Sequence, residues 1–282
     1  MNLFESIIRR IKRTFSLSSA ALPVRILRPV YNLFLNVIYF RRGLKRVINK
    51  QETIRIRPEH RYVSEEYEEG VYEELKKAVK PDAVVLEVGA HVGIFTILMA
   101  RWAGPGGRIH AFEPTPKTRA ALEEHLRLNE LSERVTIIPS AVSDACGSMD
   151  FYVVSNSPEN TLSPSHTRLK NAAAIRINVT TIDNYCEENS IIPSVIKIDI
   201  EGYELHALRG AKHILQKYSP VIVVEMHPMN WPEIGVERAQ AEKILSEISY
   251  EIIPLDSQID SLSEYGHILM KPKRPMDAEN CE

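Results

Sequence analysis

The chain has 282 residues, room for one full α/β domain with an appendage, and its 44% hydrophobic and 26% charged content is that of an ordinary globular protein. The net charge of −2 hides a division: residues 1–50 hold eleven Lys or Arg against one acidic residue, Glu5, about +10, and the rest of the chain carries about −12. Cys146, Cys186 and Cys281 are odd in number, far apart and without nearby histidine pairs, which excludes a disulfide framework or a zinc motif and fits a reducing, cytoplasmic compartment.

In the first segment Leu3, Phe4, Ile7, Ile8, Ile11 and Phe15 recur at helical spacing, with Arg9, Arg10, Lys12 and Arg13 on the other face. Val30 to Phe40 is apolar but too short to span a bilayer, is interrupted by Asn32 and Asn36, and runs into Arg41, Arg42, Lys45 and Arg46. The basic cluster lies within the apolar stripe instead of before it, so no cleavable signal is expected. Residues 1–60 thus read as a basic amphipathic helical extension. Two uses are open: docking on an anionic membrane surface through residues 1–50, or covering a face of the main domain or a partner.

From residue 62 the chain becomes acidic and helical through Ser64, Glu65, Glu66, Tyr67 and Glu68 to Val79, and Pro81-Asp82 marks a turn. Strands are expected near 83–88, 108–112, 135–139, 195–200, 221–225, 250–254 and 267–271. Helices are expected near 93–101, 115–129, 182–188, 203–217 and 236–249. The alternation argues for a largely parallel sheet. An insertion at 147–179 reads as a short extended strand, Asp150 to Val154, followed by a loop rich in Ser, Thr, Pro and Asn over 156–170, a place where long loops carry function.

The strand Val84 to Val88 ends in a turn containing Gly89 and Gly93, the hand-over from buried strand to helix that surrounds nucleotide-like ligands. A second strand ends at Glu113, 24 residues after Gly89, where a carboxylate can accept hydrogen bonds from two ribose hydroxyls. Dinucleotide sites use G-x-G-x-x-G to hold a pyrophosphate. Here Glu87-x-Gly89-x-His91-x-Gly93 puts a carboxylate where phosphate would be repelled and a methionine ammonium welcomed, which points to S-adenosylmethionine and away from a nicotinamide cofactor. His91 can contact cofactor or substrate, or simply be tolerated in the turn. Ser140 and Ala141, with Asp144 close behind, lie where an adenine would be reached.

In the expected strand Ile196 to Ile200, alternation sets Lys197, Asp199 and Glu201 on one face, and ionisable groups in a central parallel strand need a compensating environment. The next strand brings Glu225 and His227 to the same rim. Adjacent strand ends are about 5 Å apart, so Asp199 and Glu225 can raise one another's pKa and supply a proton acceptor. They could equally bind a divalent ion together with Glu201, although no tight ligand motif supports one and no metal ligand is assigned.

Taken together, these motifs resemble the FkbM-type S-adenosylmethionine-dependent methyltransferases. The matching residues are Glu87 to Gly93, Ala111-Phe112-Glu113-Pro114, Ala141-Val142-Ser143-Asp144 with Gly147, Val179 to Asp183, Ile196 to Gly202, and Leu208-Arg209-Gly210-Ala211. The match runs in order from about Val84 to His227. Glu87 and His91 depart from the more usual Asp and Asn, and residues 1–60 lie outside it. The resemblance implies an α/β, Rossmann-like class I methyltransferase fold with a seven-stranded, mostly parallel sheet whose last strand is antiparallel, and methyl transfer most often to a hydroxyl oxygen, in glycan, polyketide or other specialised pathways. If the basic extension docks on a membrane, a lipid-linked saccharide becomes a natural acceptor.

The resulting expectations are a methyltransferase domain over 61–274 and a disordered tail over 275–282. S-adenosyl-L-methionine is held by Glu87, Gly89, His91, Gly93, Glu113, Ser140, Ala141 and Asp144, and the chemistry is carried by Asp199, Lys197, Glu201, Glu225 and His227. The acceptor is presented by residues 156–170 and the helix around Tyr67. No nucleic-acid partner is expected, and the protein is placed in the cytoplasm, at the inner membrane surface if the extension docks there. The rival reading is a non-catalytic interaction protein that retains the fold.

Overall fold

The computed structural model describes residues 37–154, 172–258 and 260–273, with Leu33 and Leu35 as isolated positions. The first pair of strands, β1 (Leu44–Ile48) and β2 (Glu52–Ile56), forms an antiparallel hairpin. The sequence reading carries a helical extension through this stretch; the structure makes it a hairpin. Its turn uses Asn49 and Lys50 at φ 47° and 57°, the left-handed conformation that tight hairpin turns require. The apolar residues at alternate positions, Ile48, Ile54 and Ile56, are fully buried against Tyr72, Leu75 and Leu98, each stabilising by about 1.5–3 kcal/mol. The basic residues hide this two-residue period in the sequence. The amphipathic pattern over residues 3–15 lies outside the described residues, as does the tail over 275–282.

Side chains of a later helix, α3 (Pro116–Leu128), close the outer edge of β2. Asn129, just past its end, accepts from the Arg55 N–H and donates to the Arg55 carbonyl, and His125 accepts from the Arg57 N–H at 2.9 Å. Otherwise these would be open edge groups. The hairpin turn in turn grips the segment before α1 (Glu69–Ala78): Asn49 accepts from the Tyr67 N–H at 2.7 Å and donates to the Tyr67 carbonyl at 2.9 Å.

The main sheet contains β3 (Val84–Val88), β4 (Arg108–Phe112), β5 (Val135–Ile138), β9 (Val195–Ile198), β10 (Val221–Met226), β11 (Tyr250–Pro254) and β12 (Gly266–Pro272). Their spatial order is β11-β12-β10-β9-β3-β4-β5, parallel except for β12, which runs antiparallel to both neighbours. This is the sheet the resemblance implies. Strand order reverses between β3 and β9, so a crevice opens at their carboxyl ends. Alternate residues feed two cores: Val85 packs with α1, α3 and α2 (Ile94–Trp102), and Leu86 and Val88 with the helices of the other face.

Those helices are α4 (Ile182–Asn189), α5 (Glu204–Arg209), α6 (Lys212–Tyr218) and α7 (Arg238–Glu247). The single helix expected over 203–217 is broken at Gly210. There the Gly210 carbonyl accepts from the Asp183 N–H, and the Asp183 carboxylate accepts from the His213 and Ile214 N–H groups, each at 2.9 Å, so α6 starts afresh on an acidic cap. The insertion is a second sheet of β6 (Ser140–Val142), β7 (Gly147–Val154) and β8 (Ala172–Thr180), in the order β6-β8-β7. The sequence reading assigns no strand to β8. Residues 156–170 lie outside the described residues.

Candidate active site

The turn after β3 is fixed by its neighbours. Gly89 and Ala90 donate to the Phe112 carbonyl at 3.1 and 2.9 Å, and the Asp199 N–H donates to the Val88 carbonyl at 2.9 Å. Gly89 has φ +89°, and a Cβ there would lie 1.8 Å from the Asp199 carbonyl oxygen, so only glycine lets the turn pass this close to the end of β9. His91, at φ 49°, directs its N–H to Glu113 Oε2 at 3.0 Å, and the Thr115 N–H reaches Oε1 at 2.8 Å. The Glu113 carboxylate is thereby clamped at the carboxyl end of β4. Burial raises its pKa, with the Thr115 and His91 amides pulling the other way.

A cavity of about 290 Å³ runs along these strand ends. Of the residues singled out in the sequence, Glu87, Gly89, His91, Gly93, Glu113, Ser140, Ala141, Lys197, Asp199, Glu201 and Glu225 line it. Asp144 and His227 are not part of its wall. Asp144 instead pairs with Arg209 at 3.1 Å. His227 stands behind the carboxylates, with Nδ1 2.9 Å from Glu204 Oε1 and Nε2 3.5 Å from Glu201 and 3.8 Å from Glu225. That carboxylate cage holds its pKa up at about 9 against burial, which pushes it down. Phe151 of β7 joins Ala141 and Val142 at the apolar end.

At the other end the wall is charged. Lys197, buried in β9 opposite Glu87, sets its ammonium 3.1 Å from Asp199 Oδ2 and 5.2 Å from the Phe95 ring centroid. Burial opposes its charge, but Asp199, Glu68, Glu87 and Glu225 keep its pKa above the usual lysine value. The strand stops at Ile198, so Asp199 sits in the turn and not on the strand face, and Glu201 takes a left-handed φ of 54°. Burial drives Asp199 upward, and the Lys197 ammonium overcomes it, leaving the carboxylate below its ordinary range. Glu225 receives the Tyr265 hydroxyl and is pushed up by burial and by the Asp199 charge. Glu87, bonded by Thr96, is pushed to about 7 by burial.

Sequence reasoning places an acidic helix around Tyr67 at the acceptor; the helix begins only at Glu69, and Tyr67 and Glu68, in the segment before it, line the cavity. It misses Glu68, Glu204, Asp256, Tyr265 and His267 as parts of the acidic end. These come from separate elements with no local motif, and only the fold brings them together. Among the described residues, two groups have the donors and spacing for a cation, Asp199-Glu225-His227 and Glu68-Glu225-His267. Four carboxylates around one lysine disfavour a phosphate and favour a sulfonium and an ammonium. With the clamped Glu113 and the apolar wall of Ala141 and Phe151 at the opposite end, the donor set fits an adenosyl group joined to a methionine.

The family description "Methyltransferase FkbM domain" matches residues 87–268. The chain is 28% identical over 198 residues to the hexuronic acid methyltransferase AglP of Haloferax volcanii, covering 68% of this chain and 74% of that protein. The crystal structure of an FkbM methyltransferase from Methylobacillus flagellatus aligns with a TM-score of 0.45 at 18% identity, over 71% of this chain and 50% of that one. An O-methyltransferase from Bacillus cereus in complex with SAH aligns with a TM-score of 0.46 at 15% identity, over 75% and 84%.

Proposed function

The chain belongs to the FkbM methyltransferase family, whose methyl donor is S-adenosyl-L-methionine, and on that premise we propose that it is an O-methyltransferase acting on a hydroxyl of a glycan, with a hexuronic-acid-bearing saccharide as the acceptor class. The observation that carries this reading is the continuous cavity from Glu113 and Ala141 to Asp199 and Glu225, which puts a nucleoside-holding carboxylate and a proton-accepting carboxylate pair at opposite ends of one space.

Glu113 would receive the ribose hydroxyls, Ala141 and Phe151 the adenine, and the Gly89 to Gly93 turn the methionine end. The cofactor supplies a methyl carbon activated by a sulfonium. Asp199 and Glu225 would face the acceptor, and the ionised Asp199 would take its hydroxyl proton as the cofactor supplies the methyl group to the oxygen. His227 and Tyr265 orient these carboxylates. Holding the acceptor oxygen in line at about 3 to 3.5 Å supplies much of the rate acceleration. The test is transfer of labelled methyl from S-adenosyl-L-methionine to hexuronate-bearing and neutral saccharides. Labelling of a saccharide oxygen supports the reading, and binding of the cofactor without transfer to any saccharide overturns the acceptor class.

The basic N-terminal segment would hold the enzyme at an anionic membrane, where a lipid-linked saccharide becomes a natural acceptor. The charge of about +10 over residues 1–50 and the exposed Val37, Ile38 and Phe40 beside Arg41 and Arg42 support this. No helix among the described residues is long and apolar enough to cross a membrane. Flotation with anionic liposomes should separate the full chain from a form beginning near Gly43, which keeps the β1-β2 hairpin; equal behaviour removes the idea.

A further inference from the structure

We propose that Glu68, Glu225 and His267 form a site for a divalent transition cation of the manganese or zinc class, at the acceptor end of the cavity.

His267 is the second residue of β12 and cross-strand neighbour to Glu225, and only 8% of its surface is exposed. Its Nδ1 lies 2.7 Å from Asp256 Oδ2, an acceptor-only group, so Nδ1 carries the hydrogen. The same Asp256 oxygen accepts the His267 backbone N–H at 2.7 Å, which fixes the ring. Nε2 is then left with a lone pair, buried and without a hydrogen bond, aimed at two carboxylates: Glu68 Oε2 at 3.6 Å and Glu225 Oε1 at 3.7 Å. Glu68 Oε2 is likewise buried and without a hydrogen bond. Nε2 and Glu68 Oε2 thus converge unpartnered on Glu225 Oε1, which already accepts the Tyr265 hydroxyl; 3.6 Å is too long for a hydrogen bond between them, and a cation held among the three satisfies all of them.

The spacing suits an ion. A cation about 2.1 Å from each donor, at angles of roughly 120°, separates the donors by about 3.6 Å. One imidazole and two carboxylates, with a carboxylate behind the imidazole, is a donor set for a transition cation. The backbone is shaped to deliver the ligand: Glu68 takes φ 40° just before α1, held there by the clamp of Asn49 on Tyr67. The neighbouring Asp199-Glu225-His227 group is the weaker candidate. Its Asp199 carboxylate is taken up by Lys197 at 3.1 Å. Glu68 and Glu225 line the cavity, so the cation would bind and polarise an acceptor oxygen there. That role rests on the methyltransferase reading; the site itself does not.

Full-length protein stripped with chelator and titrated with Mn²⁺ alone, followed by the EPR signal of the free ion, should show one site per chain. Affinity should fall about tenfold or more in Glu68→Gln and His267→Ala and move less than threefold in His227→Gln. S-adenosyl-L-methionine binding and the melting temperature, measured on the same samples, report folding. No stoichiometric Mn²⁺ or Zn²⁺ binding by folded wild type overturns the proposal, as does loss in His227→Gln with retention in His267→Ala. Metal binding without cofactor binding would leave this site standing and sink the methyltransferase reading, and the converse would do the reverse.

Discussion

The two ends of the cavity are built in opposite ways. The donor end comes from short contiguous motifs: one turn, Gly89 to Gly93, and one strand end, Glu113, joined by the His91 N–H at 3.0 Å. The acidic end draws Glu68, Asp199, Glu225, Asp256, Tyr265 and His267 from across some 200 residues of chain. Local backbone geometry dictates the first, and tertiary packing the second. The donor end should therefore fail abruptly when a single backbone position changes, whereas the acidic end should lose activity residue by residue with the fold intact.

The largest effect is expected at Gly89→Ala. A Cβ 1.8 Å from the Asp199 carbonyl at φ +89° forces the two strand ends apart, costing about 3 kcal/mol or more. Urea unfolding should show that loss, together with loss of cofactor binding. Next is Asp199→Asn, which removes the partner of a buried ammonium and one member of the proton-accepting pair. A kcat decrease of about 100-fold or more is expected, with cofactor affinity changed far less. An equal loss in both would mean that the two ends are not separable.

Asn49→Ala should be milder and would sharpen the comparison further. It removes two hydrogen bonds to the Tyr67 backbone, worth together about 1–3 kcal/mol. Acceptor KM should rise while cofactor affinity stays put, because Asn49 braces the Tyr67-Glu68 wall. The smallest effect concerns pH. Burial, then Arg57, lowers the His60 pKa to about 4, and burial also lowers that of His125 to about 4, the two rings meeting at 3.2 Å. His125 accepts from the Arg57 N–H only while neutral. Folded values lie below the ordinary 6.5, so the native state binds fewer protons, and stability falls as pH drops from about 6.5 towards 4. In His60→Asn, the difference between melting temperatures at pH 7 and pH 5 should shrink.

The same contrast explains what could be read from the sequence. Strands β3, β4, β9 and β10 announce themselves as apolar runs, and the Glu87-x-Gly89-x-His91-x-Gly93 turn and Glu113 stand at a spacing that the cofactor's own size imposes. Lys197, Asp199 and Glu225 are also visible, because charges at the end of a central strand are out of place unless they are used. The hairpin at 44–56 is not, since Lys45, Arg46 and Arg55 mask its alternation and the burial of Ile48, Ile54 and Ile56 depends on helices that follow much later. Asp144 looks like a cofactor contact by position, but Arg209, 65 residues on, captures it. Glu68 and His267 carry no signal at all: their meaning appears only when α1 and β12 are laid side by side.

Equilibrium binding of S-adenosyl-L-methionine to wild type and to Glu113→Ala tests the central claim most directly. Micromolar binding by wild type, weakened about 10- to 100-fold when the ribose-facing carboxylate is removed, is the predicted result. Failure of folded wild type to bind the cofactor, or equal binding by Glu113→Ala, would contradict it.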